Sequence, residues 1–194
     1  MSWLVIIIGY ILGSIPTAYI AGRLLKGEDI RRMGDENSGA ANVYRELGGR
    51  AGITVGVIDA TKGFLAVLIA QVSGVSQGIV LITGVAAVVG HNWPAFLGFR
   101  GGRGESTTIG VLLFLIPKPM LILASPAILV LLLKRNVILA SAVLFAPLWL
   151  VSWLMVAPVP LILYSIGLPC LVGFTHLIRV RPGLLRLYRK QPRT

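Results

Sequence analysis

Residues 3–22 read WLVIIIGYILGSIPTAYIAG, and residues 23–50 continue RLLKGEDIRRMGDENSGAANVYRELGGR. The first stretch carries no charge and is long enough to cross a hydrocarbon core about 30 Å thick. The second holds Arg23, Lys26, Arg31, Arg32, Arg45 and Arg50, and a loop this basic resists translocation. An uncharged run flowing into an Arg-rich loop, with no basic segment before it, reads as a retained membrane anchor rather than a cleaved leader.

Further apolar stretches follow at 51–72, 78–99, 106–116, 119–133, 136–157 and 158–178. Five of the seven reach the length of a span. The runs at 106–116 and 119–133 are short and are separated at Pro117 and Pro119, so they read either as two short passes or as a re-entrant hairpin. The expected fold is therefore all-α: one polytopic membrane helical bundle over 1–194, with about seven transmembrane helices.

Composition agrees. Of 194 residues, 56% are hydrophobic and 13% charged, about half the charge of a soluble domain, and the mean hydropathy is +0.85. With seven spans, sixteen of the eighteen Lys and Arg residues fall on one face, leaving Lys118 opposite and Lys62 inside a span. That asymmetry predicts an outside N-terminus and a cytoplasmic C-terminus. It also accounts for the net charge of +11 through retention and attraction to anionic lipid, so no nucleic-acid partner is expected. The single cysteine, Cys170, excludes an internal disulfide and a thiolate metal cluster, and is expected to pack. No metal or cofactor is expected.

Two polar segments carry the chemistry. In the 23–50 loop, Asn37 or Ser38 can cap a short helix ending at Gly48 or Gly49, and a helix start favours phosphate. The plain alternative is a solvated interfacial helix. The second segment, Phe99-Arg100-Gly101-Gly102-Arg103-Gly104, offers glycine amides and two guanidinium groups to an anion, or is a tight interfacial turn. Asp59 and Lys62 share a helix face within the second run, either as a site or as a structural pair. His91 sits shortly before the glycine loop, whereas His176 reads as interfacial. No G-x-S-x-G elbow occurs, and His91 is not followed by the aspartate of a His-x4-Asp acyltransferase.

Taken in order, Gly13-Ser14-Ile15-Pro16, Asn37-x-Gly39-Ala40-x-Asn42-Val43-x-Arg45, Asp59-x-x-Lys62-Gly63, Gly90-His91-x-x-Pro94-x-Phe96, Phe99-x-Gly101-Gly102-Arg103-Gly104 and Asn136-Val137 with Ala140-Ser141 resemble the bacterial membrane acyltransferases that acylate glycerol 3-phosphate from acyl phosphate. The resemblance implies a multi-pass protein of the bacterial inner membrane, with cytoplasmic site loops, making lysophosphatidic acid for phospholipid synthesis. Its partners would be acyl phosphate, glycerol 3-phosphate and membrane lipid. It implies phosphate binding by Asn37, Asn42, Arg45, Lys62, Arg100, Gly101, Gly102, Arg103 and Gly104, with His91 and Asp59 as catalytic candidates.

The chain departs from the family pattern in places. It has Gly34-Asp35-Glu36-Asn37 where the family reads G-S-G-N, Ala41 for threonine, Arg103 for lysine and Glu105-Ser106 for Val-Ala. The family's R-H-R-E-N stretch is placed on Arg179–Gly183. The added acids oppose phosphate binding unless nearby arginines pair with them. Two other readings stay open: a divergent or inactive relative acting on another polar acceptor, and a small anion transporter. Polar residues are sparse in the last three runs, which favours a one-sided site over a transport path.

Overall fold

The computed structural model describes residues 2–189, with side chains through Arg179; expectations resting on Arg181 to Arg193 lie outside the described side chains. No strand occurs among the described residues. The elements are α1 (Ser2–Ser14), α2 (Thr17–Lys26), α3 (Ala40–Leu47), α4 (Gly49–Val72), α5 (Gln77–Asn92), α6 (Glu105–Leu115), α7 (Pro117–Lys134), α8 (Val137–Phe145), α9 (Leu148–Leu154) and α10 (Val159–Arg189). Short 3-10 turns occupy Ile30–Arg32 and Ala95–Leu97.

Six segments are long and apolar enough to cross a membrane: Ser2–Lys26, Gly49–Val72, Gln77–Leu97, Pro117–Lys134, Val137–Leu154 and Val159–Arg179. The short apolar helix is α6, of 11 residues. At 1.5 Å per residue it covers only about half of a bilayer core.

Three of the spans, Ser2–Lys26, Gln77–Leu97 and Val137–Leu154, are not continuous. The first breaks at Ile15-Pro16, because proline supplies no N–H to the helical ladder. The fifth breaks between α8 and α9 at Ala146-Pro147 for the same reason. The third run was expected to continue to residue 99, but α5 stops at Asn92, and Trp93 to Phe99 turn across the end of the bundle.

Helices α1, α4, α5 and α6 form the inner layer. They approach closely through small residues, as membrane helices do where hydrophobicity alone gives no preference for protein over lipid. A side chain at Gly13 would strike the Ala87 carbonyl of α5, and one at Gly110 the Ala60 carbonyl of α4. Val67, Val80, Val88, Val111, Leu112, Leu148 and Leu168 fill the core. The outer surface is covered with exposed Leu, Ile, Val and Trp side chains, among them Trp3, Leu132, Leu133 and Trp153, as expected for contact with lipid. Cys170, expected to pack inside, is exposed on α10.

Candidate functional site

The polar residues gather where the loop before α3, the loop before α6 and the Thr175–Arg179 stretch of α10 converge. Arg31 ties the first two loops together. Its guanidinium chelates Asp29 at 2.7 Å and donates to the Leu97 carbonyl at 3.0 Å. The hydrogen bonds from Arg31 hold the Asp29 carboxyl below the ordinary 3.8.

Asn42 organises the first loop from inside. Its amide nitrogen faces the carbonyls of Ile30, Met33 and Asn37, and its oxygen accepts from the Asp35 amide. Expected as a phosphate ligand, Asn42 is committed to the loop backbone.

The glycine loop is likewise held by backbone bonds. The amides of Gly101 and Gly102 donate to the Asn92 and His91 carbonyls at 3.1 Å, so these two amides are not the free anion donors that the sequence reading assigned. Glycine is required there for close approach: a side chain at Gly102 would collide with the His91 ring and the Ser38 carbonyl. The two turns therefore touch each other, with His91 beneath them. Gly104, at φ 83, turns the chain into α6.

Below this contact lies a buried ionic cluster. Lys62 Nζ is 2.8 Å from Asp59 Oδ1, and His91 Nδ1 is 3.6 Å from the same oxygen. The Thr17 hydroxyl donates to Asp59 at 3.0 Å. Lys62 also donates at 2.9 Å to the Ile15 carbonyl at the helix break, which accepts the Thr17 amide at 3.0 Å as well. Asp59 and Lys62 are 1% and 5% exposed, and Asp59 Oδ2 has no partner. A cleft of about 10 Å³, room for about one water molecule, lies over this cluster, lined by Ile15, Ser38, Asp59, Lys62, His91 and Gly102 among others.

At the outer rim, Asp35 Oδ2 bridges Arg45 Nη2 at 2.9 Å and Arg103 Nη2 at 3.4 Å. Pairing was the condition under which an added acid is compatible with an anion site, and here Asp35 meets it. Glu105 accepts a hydrogen bond from Ser141 of α8. Arg100 is exposed, and Asn37 is buried with an unpartnered Oδ1.

Sequence reasoning missed the contribution of α10. Arg179 donates to the carbonyls of Gly101 and Asn92, and Thr175 donates to the Arg103 carbonyl at 3.1 Å. His176, read as interfacial, lies within electrostatic reach of Arg103 and Asp35. The stretch of α10 that bonds to the site loops thus runs from Thr175 to Arg179. The family's R-H-R-E-N stretch, placed from Arg179, marked that arginine, but no local spacing marked its partners.

Residues 3–190 match the glycerol-3-phosphate acyltransferase family. A relative from Dehalococcoides mccartyi, named glycerol-3-phosphate acyltransferase 4, is 51% identical over 95% of this chain and 100% of its own. The crystal structure of PlsY (YgiH), described as an integral membrane glycerol 3-phosphate acyltransferase in its glycerol 3-phosphate form, superposes with a TM-score of 0.83 at 34% identity, covering 100% of this chain and 95% of that one. Its lysophosphatidic acid form gives 0.78 at 32%, covering 99% and 94%. With its full length matched and its helical bundle shared, this chain belongs to the glycerol-3-phosphate acyltransferase family.

Proposed function

We propose that this membrane protein transfers an acyl group from an acyl phosphate to glycerol 3-phosphate, giving lysophosphatidic acid and inorganic phosphate. Acyl transfer to glycerol 3-phosphate is the activity named for its relatives, and it is the activity of this chain. The observation that carries the finer reading is the contact of the two polar turns over His91, with Arg45 and Arg103 converging on one carboxylate at the rim. Two guanidinium groups that grip one anionic group can grip a phosphate.

In this reading Arg45 and Arg103 hold the acceptor's phosphate, and its hydroxyl points inward toward His91. His91 Nδ1 faces Asp59, which fixes the ring, and Nε2 lies against Gly102, so the hydroxyl must reach the glycine turn to pass its proton to this nitrogen. The hydroxyl oxygen attacks the acyl carbon, the bond to phosphate breaks, and the proton leaves with phosphate or through His91. The Lys62 ammonium beneath the pocket supplies positive charge for the developing oxyanion. The mixed anhydride brings its own activation, so no cofactor enters.

The acyl chain would lie in the lipid-facing part of the bundle, and the site would open at the cytoplasmic face of the bacterial inner membrane. Ser141 near the start of α8 is level with the start of α6, so both ends of the α6–α7 segment lie at one face, as in two short passes or in a re-entrant hairpin; seven passes count it as two. The N-terminus is then outside.

Purified protein incubated with palmitoyl phosphate and labelled glycerol 3-phosphate should form labelled lysophosphatidate. Product with acyl-CoA or acyl-carrier protein but none with acyl phosphate would overturn the assignment of the donor.

A further inference from the structure

Asp35 stands where the family pattern has serine, and it is the acid that reaches the two rim arginines. Its side chain is 35% exposed, beside Arg45 at 50% and Arg103 at 20%. The loop fixes it in place. The Asp35 amide donates to Asn42 Oδ1, and its own Oδ1 accepts from the Asn37 amide, both at 3.3 Å. Oδ2 is left free to face the arginines.

We propose that Asp35 is a specificity-determining residue whose carboxylate competes with the acceptor's phosphate for Arg45 and Arg103. This rests on the reading of those arginines as the acceptor-phosphate ligands. An ion pair so open to water is weak, so a phosphate dianion able to bind both guanidinium groups displaces it. The displaced carboxylate then stays beside a second negative charge, which raises the acceptor concentration needed for half-saturation without altering the chemical step. The same carboxylate disfavours other anions at the rim arginines, free inorganic phosphate included.

The test compares the full-length protein with Asp35→Ser, Asp35→Asn and Asp35→Glu. Serine and asparagine keep an acceptor for the Asn37 amide, so the loop retains its turn while the charge is lost. At saturating acyl phosphate, both neutral variants should lower KM for glycerol 3-phosphate by about three- to tenfold, with the change in KM rather than kcat. Asp35→Glu should show no such gain. Calorimetric titration with inorganic phosphate alone should show the same tightening in the neutral variants, and this arm does not depend on turnover. An unchanged or raised KM, or unchanged phosphate affinity in folded neutral variants, would overturn the proposal. Absence of lysophosphatidate from the wild-type protein would instead defeat the parent reading, leaving the phosphate titration to decide this one.

Discussion

Lys62 Nζ lies 2.8 Å from Asp59 Oδ1 on the next turn of α4, and 2.9 Å from the carbonyl of Ile15 at the break between α1 and α2. One buried ammonium thus joins a carboxylate of α4 to the backbone at the α1–α2 break. Removing either charge alone leaves the other buried and unpaired, which costs about 3–5 kcal/mol. Lys62→Met and Asp59→Asn should each lower the thermal unfolding midpoint in detergent, and the double variant should lose less than the sum of the two. Additive losses would show that the two charges do not depend on one another.

His91 holds its Nδ1 toward Asp59 and lines the pocket with the rest of its ring. His91→Gln should reduce kcat by about 10²- to 10⁴-fold, the usual contribution of a general base, with little change in KM for glycerol 3-phosphate. A kcat within tenfold of wild type, in folded protein, would remove His91 from that role.

Gly102 packs against both the His91 ring and the Ser38 carbonyl. Gly102→Ala must push the two turns apart, and displacements near 1 Å cost about 100-fold in rate. Activity should fall by that order and the unfolding midpoint should drop as well, since overpacking costs about 1–3 kcal/mol, measured by acyl transfer and thermal unfolding on the same preparation.

These three positions also show what the sequence made legible. Seven apolar runs and the one-sided cations are periodic or compositional signals, and they located the helices and the polar end. The spacing of Asp59 and Lys62 predicted their pairing because both lie on one helix. The grouping of Arg179 with Gly101 and Asn92 left no such trace, since those partners are 78 and 87 residues away. Nor did spacing reveal that the Gly101 and Gly102 amides are used by α5, because glycine spacing is the same whether the amides face a ligand or a neighbouring carbonyl.

Glu36 adopts φ 60, a left-handed conformation that L side chains avoid, at the position where the family pattern has glycine. Glu36→Gly should stabilise the protein by about 0.5–1 kcal/mol, raising the unfolding midpoint by a few degrees. A lowered midpoint would mean that the glutamate side chain makes a compensating contact.

Asp29 binds Arg31, which in turn holds the Leu97 carbonyl. Because the folded carboxyl titrates below 3.8, its contribution is fully present above that value and is lost as pH falls through the folded value. Fluorescence of Trp93, two residues before this segment's 3-10 turn, should therefore be flat from pH 7 to about 4.5. Asp29→Asn should already show at pH 7 the loosened signal that wild type reaches only in acid. A wild-type transition above pH 5 would contradict the pairing.

The central claim is that two turns, far apart in sequence, hold one small phosphate-bearing acceptor. The most direct measurement is KM for glycerol 3-phosphate in Arg45→Ala and Arg103→Ala at saturating acyl phosphate. Both variants should raise KM by about tenfold or more, as expected for loss of a charged hydrogen bond. A KM within twofold of wild type in either folded variant would mean that the turns do not share the substrate.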